Sequence, residues 1–315
     1  MQRIDFSGQV AIVTGAGRGI GRAHAELLAA RGARVIVNDV GVSMDGESSE
    51  TGSVAQDVAD AIVGSGGTAR ADTSDVATIA GSRSVVDLAI TEFGHLDILI
   101  NNAGIYSLDS FDDLSLDTMR RYFDVHAGGS FNVTQAAWPH LVASGNGRVV
   151  MTTSTGMLGA ENMIAYGTAK GAVLALGRAL AHAGKPHGIK VNMVAPMAMT
   201  RMMAAGAGVT GQLPADPDRS PDLVAPLVAV LCHHSCPSTG VTYLGGMRRM
   251  SRLFIAENEG YTHDDLDLSP EDVLGHWPQI ADHERYGVQT GTLDESIYMS
   301  QFLEPAANRV GSSER

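Results

Sequence analysis

Tyr166 and Lys170 stand four residues apart in the stretch AYGTAKGAV, residues 165–173, among residues that are almost all small. On a helix, positions four apart share a face. A free tyrosine keeps its proton up to about pH 10. A neighbouring ammonium favours the phenolate and lowers that value. The pair is therefore expected to pass a proton to or from an alcohol near neutral pH. A solvated lysine beside a half-buried tyrosine has the same spacing, so other motifs must decide.

A second candidate site lies near the start of the chain. TGAGRGIG, residues 14–21, follows a short β-branched run and precedes a helix-like one. Glycines in such a turn let the backbone approach a pyrophosphate, and the helix N-terminus offers N–H donors and a positive end. Gly15, Arg18, Gly19, Ile20 and Gly21 are the candidate phosphate contacts. Asp39 ends the next strand, eighteen residues beyond Gly21. A carboxylate there accepts hydrogen bonds from ribose hydroxyls and repels a 2′-phosphate, which argues for NAD over NADP. Arg18 is a cation inside the turn and pulls the other way.

The elements that position these residues alternate. Strands are read at 9–14, 34–39, within 68–76, at LDILIN, at GRVVMTT and at IKVNMVAP. Helices are read between them, including a long one over about 115–138 and another over 162–183. Residues 41–53 are polar and glycine-rich and read as a loop. Alternating strand and helix predicts an α/β fold, a doubly wound parallel sheet with helices on both faces. Core-forming patterning runs to TGVTYLGG, so residues 1–246 are expected to be one Rossmann-type catalytic domain. Residues 247–315 read as a polar C-terminal extension in which Ser269 or Pro270 starts a short helix.

Taken in order, TGAGRGIG, NNAG at 101–104, YGTAK at 166–170 and NMVAP at 192–196 make the chain similar to short-chain dehydrogenase/reductases over about residues 5–246. The resemblance implies that Tyr166 is the catalytic acid/base, and Lys170 its partner and a ribose ligand. It implies that Asn101, Asn102, Ala103 and Gly104 line the cofactor cleft and steady the sheet, and that Asp75 and Val76 touch the adenine. Pro196 and Thr200 fall at the nicotinamide. The family's catalytic serine lies thirteen residues before the tyrosine, where this chain has Thr153. Ser154 lies twelve before and is favoured if the following loop is one residue shorter. The family's helix asparagine is replaced by His126, which either holds a proton through water or packs the helix. Met197 replaces the glycine usual after Pro196, and 197–215 is expected to be a substrate lid.

Within that family, His126, AAWPHL at 136–141, the insert after Asp39 and residues 221–236 look like the dehydrogenase part of peroxisomal multifunctional enzymes. The implied reaction is NAD-dependent hydride transfer between a secondary alcohol and its ketone. The implied substrates are a 3-hydroxyacyl-CoA, a steroid or another lipophilic alcohol. A dinucleotide sensor without turnover is the competing class, and it is disfavoured because Tyr166 and Lys170 are both present. A dehydrogenase whose NAD does not exchange stays open.

Composition bounds the remaining possibilities. The net charge of −13 over 315 residues makes nucleic acid and anionic membrane poor partners. The start lacks the layout of a signal peptide, and glycines and charges interrupt every apolar run. A cytoplasmic location is expected. Cys232 and Cys236 flank His233 and His234, but adjacent histidines cannot share a helix face with both thiols, so no metal is expected. No hydratase or sterol-carrier domain is expected after residue 315, and GSSER is not a Ser-Lys-Leu signal. Small residues on helices 115–138 and 162–183 suit packing across a symmetry axis, and the resemblance implies a tetramer or dimer.

Overall fold

The structure is a computed structural model that describes residues 3–48, 53–206, 216–263, 267–288 and 291. Its chain order begins β1 (Val10–Thr14), α1 (Gly19–Ala30), β2 (Arg34–Asn38), α2 (Val54–Gly64), β3 (Thr68–Asp72), α3 (Ile79–Phe93) and β4 (Ile98–Asn101). It continues α4 (Leu116–Phe123), α5 (Gly129–Ala143), β5 (Arg148–Thr152), α6 (Ile164–Gly184), β6 (Lys190–Met197), α7 (Arg201–Gly206), α8 (Ala225–Cys232) and β7 (Thr242–Gly246). The last elements are β8 (Arg249–Leu253), β9 (Ala256–Asn258), α9 (Pro270–Gly275), α10 (Trp277–Ile280) and β10 (Tyr286–Val288).

The main sheet has the order β3-β2-β1-β4-β5-β6-β7-β8. Every pair from β3 to β7 is parallel. The chain walks outward from β1 to β3, then crosses back to β4 on the other side of β1. That reversal opens a crevice at the carboxyl ends of β1 and β4, where ligands bind in such sheets. Side chains of β1 show why the sheet is buried on both faces. Ala11 and Val13 enter one apolar cluster with α1, α2 and α8, whereas Val10 and Ile12 enter the other with α3, α5 and α6.

Two features differ from the sequence expectation. The long helix over 115–138 is not uniform. α4 passes through a π-helical turn, Asp124–Gly128, before α5 begins. Such turns add a residue and re-aim side chains, here the buried His126. The sheet also continues past Gly246. Met247 and Arg248 both have positive φ, 51° and 59°, which is the backbone of a two-residue hairpin turn. β8 therefore returns antiparallel along β7. No glycine or asparagine announces that turn, so the sequence pattern missed it.

The described residues up to Arg252 form one compact unit and those from Leu253 onward another. In the second, β9 and β10 pair antiparallel, and Ser269 caps α9 with a reciprocal Ser269–Asp272 capping box. The helix start read at Ser269 or Pro270 is found there.

Candidate active site

A cavity of about 1210 Å³ opens at the crevice and lies wholly within residues 15–221. It exceeds the roughly 300–1,000 Å³ typical of one small-molecule site, so it has room for two ligands together.

The phosphate turn forms its floor. α1 starts at Gly19, and Arg18 at its N-cap makes no side-chain cap, so the first amides of α1 are left for a ligand. Gly15 has φ +62°, and a Cβ there would sit 2.7 Å from the Ala103 Cα. A Cβ on Gly21 would meet the Gly15 carbonyl oxygen at 2.2 Å. Glycine is thus required by contact as well as by turn shape. Thr14, unmarked by the sequence reading, ties this turn to NNAG. Its hydroxyl oxygen accepts from the Asn102 and Ala103 amides, each at 3.0 Å. Asn102 Nδ2 donates back to the carbonyls of Thr14 and Gly15 at 3.0 Å.

Asp39 faces the cavity with both oxygens engaged by backbone. Oδ2 accepts from Gly17 N and Oδ1 from Gly41 N, both at 2.9 Å. Asp75, Val76, Asn102, Ala103, Gly104, Pro196 and Thr200 all line the cavity with Ile20, Arg18 and Gly19. Asn101 does not line it. It is buried and donates to Thr134 Oγ1 at 2.9 Å, which steadies the sheet.

Tyr166 and Lys170 share one face of α6, as their spacing requires, and Lys170 Nζ lies 5.7 Å from the Tyr166 ring centroid. Lys170 Nζ donates to the Thr152 carbonyl at 2.7 Å. Burial alone moves its pKa down from 10.5 to about 7. Tyr166 departs from the expectation. Its phenol is pushed up from 10, first by burial, and Ser154's hydrogen bond only partly offsets that.

The two candidate hydroxyls separate clearly. Ser154 is the hydrogen-bonding neighbour of Tyr166 and lines the cavity. Thr153 is buried, and its hydroxyl donates to the Lys170 carbonyl at 2.8 Å, tying β5 to α6. His126 lies edge-on to Tyr166 with centroids 5.5 Å apart and stacks on Tyr122. Its Nε2 sits 3.0 Å from the Ile105 carbonyl, and its Nδ1 is buried without a partner. Burial holds its pKa well below 6.5, with Lys170 adding to the effect.

Comparison with known proteins agrees with this geometry. The family model described as short chain dehydrogenase matches residues 9–208. The chain belongs to the short-chain dehydrogenase/reductase family. A short-chain type dehydrogenase/reductase of Mycobacterium tuberculosis is 36% identical, over 87% of this chain and 94% of the relative. Peroxisomal multifunctional enzyme type 2 of Drosophila melanogaster is 39% identical over 89% of this chain, which spans 46% of that protein. Among solved structures, a 7α-hydroxysteroid dehydrogenase complexed with NADH and 7-oxo glycochenodeoxycholic acid superposes with a TM-score of 0.68 at 28% identity. That match covers 80% of this chain and 100% of the other.

This short-chain dehydrogenase/reductase is therefore an oxidoreductase that acts on CH–OH groups with a nicotinamide cofactor. The uncapped start of α1, the cradle that any Cβ would fill and the cavity volume fit such a dinucleotide. Tyr106, Arg121, Met44 and Met163 were missed by sequence reading. Tyr106 follows NNAG by two residues and packs edge-on to Tyr166 at 5.2 Å. Residues 207–215 of the expected lid lie outside the described residues; Met197 to Met203 line the cavity. Cys232 and Cys236 are buried free thiols at the end of α8. Among the described residues no helix is long and apolar enough to cross a membrane.

Proposed function

We propose that the chain is an NAD-dependent dehydrogenase of secondary alcohols, with a 3-hydroxyacyl-CoA, a steroid or another lipophilic alcohol as substrate. The observation that carries this is the convergence of Tyr166, Ser154 and Lys170 on one wall of a cavity whose floor is the glycine turn. The nicotinamide supplies the hydride acceptor when bound. Tyr166 takes the hydroxyl proton of the substrate, and Ser154 holds the same oxygen as charge shifts onto it. Lys170 binds the ribose and steadies the ionised phenol. His126 buttresses Tyr166 and fixes the Ile105 backbone. The Asp39 carboxylate, pinned by two amides, disfavours the 2′-phosphate of NADP. The active form is a homo-oligomer, and its setting is cytoplasmic.

The test is NADH formation from NAD with a panel of secondary alcohols, wild type beside Tyr166→Phe. Turnover that falls by ~10²-fold or more in the variant supports the reading. Equal turnover in the two would remove Tyr166 from the chemistry.

A further inference from the structure

We propose that Tyr106 is a substrate-binding residue whose phenol donates a hydrogen bond to a second oxygen of the substrate, one or two carbons from the carbinol. This rests on the alcohol-dehydrogenase reading and narrows it to alcohols that carry such an acceptor oxygen beside the reacting centre. Tyr106 is placed with little freedom. It is 5% exposed, yet it lines the cavity. Its amide donates to the Met44 carbonyl at 2.8 Å, and Gly46 packs against Ile105, so the insert after Asp39 holds its backbone. Its ring stands edge-on to Tyr166, with centroids 5.2 Å apart and planes at 83°. Edge-to-face packing of this kind fixes the direction of the ring.

The hydroxyl of a buried tyrosine usually finds a partner. That of Tyr122 lies 2.7 Å from Ser107 Oγ, and that of Tyr166 meets Ser154. Among the described residues the Tyr106 hydroxyl has no such partner, and it is not sealed from the cavity. A ligand in the cavity is what remains to receive it. The two phenols are also close enough to address one ligand. Charge on Tyr106 would push the Tyr166 pKa up, which only a nearby group does. Burial pushes the pKa of Tyr106 itself up from 10, so its phenol keeps its proton near neutral pH and serves as a donor.

The roles then divide. In the proposed reaction the carbinol oxygen already meets Tyr166 and Ser154, so the third hydroxyl has a different oxygen to serve. Met44, Ile105 and Leu108 line the cavity around Tyr106 and are apolar. A hydroxyl set among such side chains fixes how a ligand is oriented.

The experiment pairs two alcohols of one shape, methyl 3-hydroxydecanoate and dodecan-5-ol, which differ in the ester oxygens. Both epimers of each are run with wild type and Tyr106→Phe. Phenylalanine keeps the ring that packs on Tyr166 and removes only the hydroxyl. The variant is expected to lose ~3–10-fold in kcat/KM on the hydroxy ester and to stay within about twofold of wild type on dodecan-5-ol. A merely structural role would lower both by one factor, so equal losses, or no loss on either, overturn the inference. Calorimetric titration of the NAD-loaded protein with the matching ketones, methyl 3-oxodecanoate and dodecan-5-one, decides without turnover, because NAD cannot reduce a ketone. A preference of wild type for the keto ester by ~3–10-fold that disappears in Tyr106→Phe supports the inference. The same preference in both proteins, or no binding of either ketone, overturns it. If neither alcohol is oxidised, the dehydrogenase reading fails on these substrates while the titration still answers for Tyr106.

Discussion

Burial works on Tyr166 and Lys170 in the same sense, disfavouring the charged form of each, so the phenol is raised and the ammonium lowered. Desolvation by the chain thus opposes a phenolate at Tyr166, and a positively charged nicotinamide, when bound, would favour it. A stability signature follows from Lys170, whose folded pKa of about 7 lies below the 10.5 of an exposed lysine. Between those values the unfolded chain binds more protons, so stability rises with pH through that window and the full cost of burial is felt below it. Lys170→Met should remove up to about 1.4 kcal/mol per pH unit of that slope, read from urea unfolding of cofactor-free protein between neutral and alkaline pH. The hydroxyls also separate by experiment. Ser154→Ala is expected to lower kcat by ~10²–10³-fold, as loss of an oxyanion donor does. Thr153→Ala, losing its bond to the Lys170 carbonyl, should cost about 1 kcal/mol of stability and less than tenfold in kcat. The reverse ranking would reassign the serine's role to Thr153.

At the scale of elements, β1, the glycine turn and α1 act as one unit because their glycines are in backbone contact. Gly21→Ala places a methyl against the Gly15 carbonyl and 2.5 Å from Asn102 Nδ2. It should weaken NAD binding by ~10-fold or more and cost about 1–3 kcal/mol, measured by cofactor titration and thermal unfolding. Neither loss would mean that the turn relaxes freely. This unit was legible in the sequence because each part carries a local signal: β-branched strand, glycine spacing, terminal aspartate. α6 was legible for the same reason, and its observed start at Ile164 is two residues from the one expected. Other parts were not. The π turn that inserts His126 has no composition of its own, and the stacking of His126 on the buried Tyr122 is a tertiary contact. The β7–β8 hairpin uses Met247 and Arg248 where turn chemistry calls for glycine or asparagine. Spacing favoured Ser154 and kept Thr153 as the alternate, and it did not contain their partners: Ser154 bonds Tyr166, whereas Thr153 bonds the Lys170 carbonyl. The direction of the Tyr166 shift needed burial, which sequence does not contain.

At the scale of the whole molecule, the α4–π–α5 rod carries apolar side chains outward as well as inward. Leu116 is 64% exposed and Phe131 44%, while His126 on the same rod is buried against the site. Such exposed apolar side chains are where the proposed homo-oligomer would be expected to associate. In a symmetric oligomer each rod would meet its own copy, so residues on it contact themselves or near neighbours across the axis. The proposed homo-oligomer then bears on catalysis, because the rod whose outer face is covered also holds His126 beside Tyr166. Phe131→Asp introduces a charge into that surface. It should shift the protein toward monomer in light scattering coupled to size exclusion, and lower kcat more than it raises KM as the π turn loosens. A variant that keeps the wild-type mass would place the interface elsewhere. One that becomes monomeric with unchanged kcat would show that the rod holds His126 without help from a neighbour.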